Sequence, residues 1–368
     1  MDLCVEDWQY LNEGGENKGH ALRLKKKTKK SHERDVEGAV RFQMEWRVLQ
    51  ISSATLTQLD VNIFQNRPQH RRKDPLDSSA IALLMPDLTY CPPEITSRGE
   101  ENNPVFAVEI KPKWGDLPVS HYHTKEETPR ACKYCMQQHM KFHHGEIEAI
   151  SGYCPLDLFS QEPDRIRAAI SSLIAQPQNN LKIFCGRDLL LAGALGGGDS
   201  TVSGEGMKLL DRYFTVDEGE GKLHHLKELI VQLLYHSDIL QNLKRVQNLD
   251  RIGPAAAETI HNLLQERREG VDSDDLAEKE QKLRDFMVAA TAKDCSIMLT
   301  IFPIRAGGEE VPSPFKTLRL DGSPHAFVCR TSIVDFDPKS SENLANWRRQ
   351  ETDIIRFFID SGSNKRCG

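Results

Sequence analysis

Long apolar runs are missing from this sequence. No window approaches the roughly eighteen uninterrupted apolar residues of a conventional membrane-spanning helix. The opening MDLCVEDWQYLNEGG has no basic n-region followed by an apolar stretch, so no secretory signal peptide is evident. Positive charge is not in excess either: Lys+Arg 48 against Asp+Glu 54 gives a formal net charge of -6. That excludes a uniformly basic polyanion binder and confines any phosphate chemistry to local clusters. Aromatic residues are scarce at 7%, and the basic runs at 25–30 and 71–73 lack the interleaved rings on which bases stack, which counts against nucleic-acid binding. Nine cysteines make an odd set, scattered without a small-scaffold spacing. With no export signal, reduced thiols in the cytoplasm and/or nucleus are the expectation. No internal repeat is visible.

What is present is a chain of 368 residues with 39% apolar and 28% charged residues, enough for a substantial core in two domains or one bilobal unit. Residues 1–90 are irregular and basic in patches, although 20–24 (HALRL) reads as a strand leaving a turn and 81–85 as a short apolar strand stopped by Pro86. The Pro-, Gly- and charge-rich 91–104 reads as a linker. Beyond it, strands are expected at 105–110, 181–184, 296–302 and 327–334, with 187–193 as a hairpin partner. Helices are expected at 130–142, 164–175, 222–246, 278–292 and 344–359, and 193–206 (GALGGGDSTVSGEG) reads as a flexible loop. The pattern indicates an α+β chain with a small basic front, residues 105–360 as the larger rear and 361–368 as a tail.

Lys111 and Lys113, two apart at the end of the strand VFAVEI, are expected on one side with Pro112 directed away. Two neighbouring ammonium groups repel unless an anion lies between them, so the pair is either a phosphate grip or a pair of solvated edge lysines. Asp294 precedes one predicted strand and Asp335 ends another. Phosphoryl transfer needs a carboxylate for the acceptor hydroxyl and another for magnesium, but caps and turns use aspartates in the same places. Gln178-Asn179-Asn180 sits before a strand, either to bond a ligand or to cap a turn. EGGEN is too short for a P-loop. Cys132-Lys-Tyr-Cys135 with His139 and His143 falls near one helix stripe and lacks a second ligand pair beyond a loop, so buried thiols and histidines are expected there rather than a metal.

Taken in order, VEIKPK (108–113), KYCMQQHMK (133–141), YCPLDLFS (153–160), QNNLKIF (178–184), VQNLDRIG (246–253) and ATAKDCSIM (290–298) resemble the inositol-pentakisphosphate 2-kinases, distant relatives of the protein-kinase fold. DWQYLNEGGEN, HALRLKKK and RPQHR (67–71) are similar to that family's front end. The resemblance implies a two-lobed α+β fold and a kinase that moves the γ-phosphate of ATP, with Mg2+, to the 2-hydroxyl of inositol 1,3,4,5,6-pentakisphosphate, giving the hexakisphosphate, phytate. It implies Asp294 as the hydroxyl-orienting base and Asp335 as the magnesium ligand. Lys111, Lys113, Lys141, Arg71 and Lys339 would grip inositol phosphates. Gly14, Gly15 and Arg23 would lie by the nucleotide phosphates, with Glu109, Asn179 and Asn180 organising the cleft. A pentakisphosphate carries about eight or more negative charges, so a ring of fixed cations is what it needs.

Several positions depart from the family pattern. The insert between EGGEN and HALRL is nearly absent, which shortens the N-terminal lobe and leaves a catalytically impaired inositol-phosphate-binding protein as the alternative. Gln137 stands where many relatives have His, and Asn343 and Trp347 stand where the plant pattern has Arg and Tyr, with Arg348 and Arg349 as candidate substitutes. Some plant relatives bind zinc through a His and a Cys-x-x-Cys pair; His261 is followed by no such pair, so no zinc is expected. A monomer with ATP and inositol pentakisphosphate as its partners, and neither membrane nor nucleic acid, completes the expectation.

Overall fold

The computed structural model describes residues 9–11, 14–17, 20–24, 47–50, 52–66, 81–90, 95, 103–118, 130–186, 188–193, 201–202, 204–214, 223–266, 273–305, 311–335 and 338–367. They form mixed helix and antiparallel sheet, the α+β class. None of their helices is long and apolar enough to cross a membrane. Arg71 with its RPQHR motif, both basic runs and most of 91–104 lie outside the described residues.

A five-stranded sheet comes first, from β1 (Gln9–Leu11), β2 (Gly14–Asn17), β3 (His20–Leu24), β4 (Arg47–Gln50) and β5 (Ile81–Pro86) in the order β1-β2-β3-β5-β4. Gly14 and Gly15 are strand residues, opposite Arg23 and Leu22. The short connection still supports a hairpin, because Asn17 pairs with His20 across only two intervening positions. Helix α1 (Ser53–Asn66) belongs to the same front part, which was expected to be irregular.

A seven-stranded sheet carries the rest: β6 (Phe106–Ile110), β7 (Leu181–Cys185), β8 (Asp188–Ala192), β9 (Thr201–Val202), β10 (Ser296–Arg305), β11 (Lys316–Arg319) and β12 (His325–Val334). Its order is β11-β12-β10-β6-β7-β8-β9, which puts β6 in the middle, between β10 and β7. Period-two alternation gives each strand two faces. Phe106, Val108, Ile110, Ile297, Leu299, Ile301, Phe327 and Cys329 enter the main core. On the other face Phe302, Ile304, Ala326 and Val328 pack with Ile95, a buried residue inside the expected linker.

The main core is closed by helices α2 (Lys133–His143), α3 (Pro155–Leu158), α4 (Pro163–Ala175), α5 (Gly204–Phe214), α6 (His224–His236) and α7 (Ile239–Gln247). Helix α4 shows why: Pro163 presets its first turn, and Ile166, Ala169, Ile170 and Leu173 recur on one face and are all buried. Helices α8 (Gly253–Glu266), α9 (Ser273–Ala292) and α10 (Leu344–Asp360) pack together around Ala257, Phe286 and Leu344. Trp347 joins them, with its ring centroid 6.1 Å from that of Phe286.

Three expectations are corrected. The single helix over 222–246 is two, α6 and α7, because Asp238 takes a left-handed φ of 56° that re-aims the chain while Leu226, Ile230 and Leu243 all stay buried. The expected loop 193–206 contains β9 and the start of α5, whose apolar residues Leu210, Tyr213 and Phe214 follow the glycine-rich stretch that hid it. Lys111-Pro112-Lys113 does not alternate as a strand: β6 ends at Ile110, and Lys113 has a φ of 62°.

Candidate active site

The charged end of the central strands is built by pairing. Ser296 opposes Val334, which brings the start of β10 beside the end of β12 and so places Asp294 and Asp335 at one end of the sheet. Met298 and Lys182 flank Glu109 on either side of β6. The result is a chain of contacts. Ser296 Oγ donates to Glu109 Oε1 at 3.0 Å and to Asp335 Oδ2 at 3.3 Å. Lys111 Nζ lies 3.9 Å from Glu109 and 3.6 Å from Asp335, while Lys182 Nζ meets the other oxygen of Glu109 at 3.2 Å. Lys113 Nζ is 4.0 Å from Asp294, whose second oxygen accepts from Lys339.

Lys111 and Lys113 therefore follow the end of a central strand rather than an edge strand, which removes the reading of edge lysines. Burial lowers the Lys113 ammonium below the usual lysine value; the Asp294 carboxylate opposes this, and the charges of Lys111, Lys141 and Lys339 add to it. Four ammonium groups thus converge without enough carboxylate between them, an arrangement that an anion stabilises. Lys141 comes from the last turn of α2. Cys295, between the aspartates' strands, is pushed up to about 12 by burial and by both carboxylates, so its thiol stays neutral and is no nucleophile. The oxygen donors Asp335, Glu109 and Ser296 form a hard donor set of the kind that suits Mg2+.

Buried amides hold this frame. Lys111 N donates to Asn180 O at 2.8 Å and Asn180 Nδ2 donates to Lys111 O at 2.9 Å, so Asn180 positions the lysine. Tyr134 Oη donates to Asn180 Oδ1, and Gln138 and Gln178 bond each other in both directions. Gln178-Asn179-Asn180 is thus a braced turn with only Asn179 exposed. Its backbone is approached so closely that a Cβ on Gly193 would lie 2.2 Å from Gln178 N. Tyr153 Oη donates to Pro112 O at 2.7 Å.

Gln247, fully buried, accepts from Gly115 N at 3.0 Å and donates to Lys113 O at 2.9 Å and Ala292 O at 3.2 Å. Next to it Asp250 accepts from Ile252 N and Gly253 N and holds Lys293 Nζ at 2.6 Å, while that ammonium sits 3.5 Å from the Trp114 ring centroid. Trp114, Gln247, Asp250 and Lys293 thereby brace both Lys113 and Asp294. Sequence reasoning placed Gln247 and Asp250 inside a matching block, VQNLDRIG, without seeing what they hold.

Other expected residues fall as follows. The Arg23 and Gly14 backbones face each other in the small sheet. Arg348 is 2.8 Å from Glu258 across the α8–α10 contact. His139 and His143 turn away from the cysteines toward the rings of Phe358 and Phe357; Cys154 and Cys367 join Cys132 and Cys135 instead.

A family model described as inositol-pentakisphosphate 2-kinase matches residues 8–353 of this chain. The chain belongs to the inositol-pentakisphosphate 2-kinase family. It is 30% identical over 347 residues to inositol-pentakisphosphate 2-kinase IPK1 of Oryza sativa subsp. indica, covering 89% of this chain and 74% of that protein. To inositol-pentakisphosphate 2-kinase of Danio rerio it is 28% identical over 388 residues, covering 83% and 77%. To that of Arabidopsis thaliana it is 28% identical over 330 residues, covering 84% and 71%. Membership makes the chain a kinase, and the VEIKPK and TAKDCSIM blocks that carried the resemblance supply Glu109, Lys111, Lys113, Asp294 and Ser296 to the cluster described above.

Proposed function

We propose that this member of the inositol-pentakisphosphate 2-kinase family transfers the γ-phosphoryl group of ATP to the 2-hydroxyl of inositol 1,3,4,5,6-pentakisphosphate, giving the hexakisphosphate. The observation that carries this reading is the single cluster in which Asp294 and Asp335 lie among Lys111, Lys113 and Lys339. Phosphoryl transfer is mostly positioning and charge stabilisation, and these are what a rigid strand-end cluster supplies. Asp294 orients the acceptor hydroxyl and takes its proton on a carboxylate oxygen. Lys113, Lys339, Lys141 and Lys111 grip the phosphates around that hydroxyl, with Arg71 assigned to the same ligand. Asp335, beside Glu109 and Ser296, would hold Mg2+, which when bound offsets the charge of the phosphates. Gly14, Gly15 and Arg23 are assigned to the nucleotide side.

On this reading the chain is two-lobed and distantly protein-kinase-like, with 1–90 as the nucleotide lobe and 105–360 as the inositol phosphate lobe. The small sheet supports this by ending at Pro86, just before Leu88 O accepts from Thr300 Oγ1 of the large sheet at 2.7 Å. Incubating the purified chain with ATP, magnesium and the pentakisphosphate should produce hexakisphosphate, resolved by anion-exchange chromatography. Tight binding of inositol phosphates without turnover would instead favour the impaired binding protein.

Lys113 also sets a proton linkage. Because its folded value is lowered, the unfolded chain holds a proton that the folded chain has released between that value and the usual lysine one. Stability from this residue is present above that window and lost as pH falls through it. Phosphates bound at Lys113 favour the ammonium and raise its value again. Within the window, pentakisphosphate binding should therefore take up a proton, read by calorimetry as a dependence of the binding enthalpy on the buffer's ionisation enthalpy. Lys113→Arg should remove that uptake; a wild-type enthalpy independent of buffer would count against Lys113 as a ligand.

A further inference from the structure

The seven-stranded sheet ends on a free edge. Strand β11 pairs with β12 from Lys316 opposite Cys329 to Arg319 opposite Ala326, and among the described residues nothing pairs with its other side. Lys316, Thr317 and Arg319 are exposed along it. Beside this edge, between β11, β12 and the C-terminal end of α6, lies a cavity of about 40 Å³. Leu233, Leu318 and Cys329 give it an apolar floor, and His236, Ser237, Lys316 and Thr331 bring polar side chains to it. The place is remote from the charged cluster, since β12 and β10 separate β11 from β6.

Two observations mark this place as unfinished. Ser237 is only 9% exposed, yet its hydroxyl has no hydrogen-bond partner. Buried hydroxyls are normally satisfied, so an unpaired one in a residue that lines a cavity calls for something bound there. The cavity exceeds the roughly 10–15 Å³ that a single water needs. The second observation is the edge itself, whose backbone N–H and C=O groups are a template for another strand. Lysine on an edge discourages pairing between like chains. Here the charge also selects: Lys316 and Arg319 repel a second copy of β11 and attract a strand of opposite sign. Among the described residues no carboxylate lines the cavity, and every polar side chain that does can donate a hydrogen bond. A carboxylate fits such a lining and a metal cation does not.

We propose that β11 is the docking edge for an acidic, extended peptide of a partner protein, which adds to the sheet as a further strand and seats one Asp or Glu side chain in the cavity. Alternate side chains of an added strand fall on one face of the sheet. Those on the face of Lys316 and Leu318 meet the cavity, where the Lys316 ammonium and the Ser237 and Thr331 hydroxyls would donate to the carboxylate. The side chains between them lie along Thr317 and Arg319 on the other face. Main-chain bonds to β11 supply affinity for any extended segment, and the cavity supplies the preference for an acidic one. Because β11 is the outermost strand, a partner held there leaves the charged end of β6 uncovered. The proposal does not depend on the kinase reading.

The test is fluorescence anisotropy on the whole chain with a labelled peptide, TVEVEVT, whose glutamates share one face when it is extended. It should bind more tightly than the neutral TVQVQVT and the basic TVKVKVT. It should also bind more tightly than TVEPEVT, which keeps both glutamates but whose proline interrupts strand pairing. Ser237→Ala should weaken TVEVEVT by about tenfold, the size of one lost hydrogen bond to a charged group. The same variant should melt no lower than the wild type, since its hydroxyl has no partner in the free chain. Lys316→Glu should shift the preference toward TVKVKVT. Hydrogen exchange of the β11 amides should slow when TVEVEVT binds. Four results would each overturn the proposal: no binding of TVEVEVT, equal binding of TVEPEVT, binding that survives both substitutions, and binding that leaves β11 unprotected. Displacement of an unprotecting peptide by inorganic phosphate would make the cavity a simple anion pocket instead.

Discussion

Asp294→Asn should lower kcat for pentakisphosphate phosphorylation by about 10³-fold, within the range that a general base contributes. The amide keeps the size of the side chain and its hydrogen bond to the acceptor hydroxyl, but it has no carboxylate on which to take the proton. Asp294 is more than half exposed at its side chain and meets Lys339 and Lys113 only through its carboxylate oxygens, so the fold should tolerate the change. Affinity for the pentakisphosphate, measured by calorimetry, should be largely kept, because the cations that grip it remain. A fall of less than about tenfold would remove Asp294 from the base role. An equal loss of binding and turnover would make it a positioning residue for the lysines.

Gln247→Leu is expected to be as damaging from a position that never meets the substrate. Leucine fills nearly the same volume but leaves Gly115 N, Lys113 O and Ala292 O without their buried partner. Each such group costs about 1–3 kcal/mol, and for three sharing one side chain a loss of about 3–5 kcal/mol is the expectation. Equilibrium denaturation should show it directly. The change also frees the backbone of Lys113 and of the residues leading to Asp294, so KM should rise together with the fall in stability. Gln241→Leu, exposed on the same helix, should change stability by no more than about 0.5 kcal/mol. If the buried and exposed variants behaved alike, the bracing role would be wrong.

Local order was readable wherever it depended on near neighbours. The strand VFAVEI, the apolar stripe of α4 and the strand-end positions of Asp294 and Asp335 follow from periodicity and turn chemistry alone. Reading Lys111 and Lys113 as alternating strand residues failed, because the strand stops at Ile110 and the left-handed Lys113 re-aims its side chain. What stayed hidden was set by pairing over long separations. Nothing near Glu109 tells that Ser296 will lie 3.0 Å away, 187 positions later, or that β6 will be a central strand. The same holds for Gln247, a glutamine on an ordinary amphipathic pattern whose three partners come from two other segments. Cys367 is the extreme case: its sulfur lies 4.0 Å from that of Cys132, 235 positions away. Helix α8 was missed because GPAAAE offers little periodic contrast although Ala255 and Ala257 are buried.

Two of the charged residues at the centre of this site, Lys113 and Asp335, hold left-handed backbones with φ of 62° and 65°. For a residue with a Cβ that conformation costs roughly 1–2 kcal/mol, and glycine escapes the cost. A redesign guided by stability alone would write glycine at both positions and would gain a tougher protein. It would also delete one cation and one carboxylate from the cluster in the same stroke. At these two positions, then, improvement of the scaffold and preservation of its chemistry pull in opposite directions.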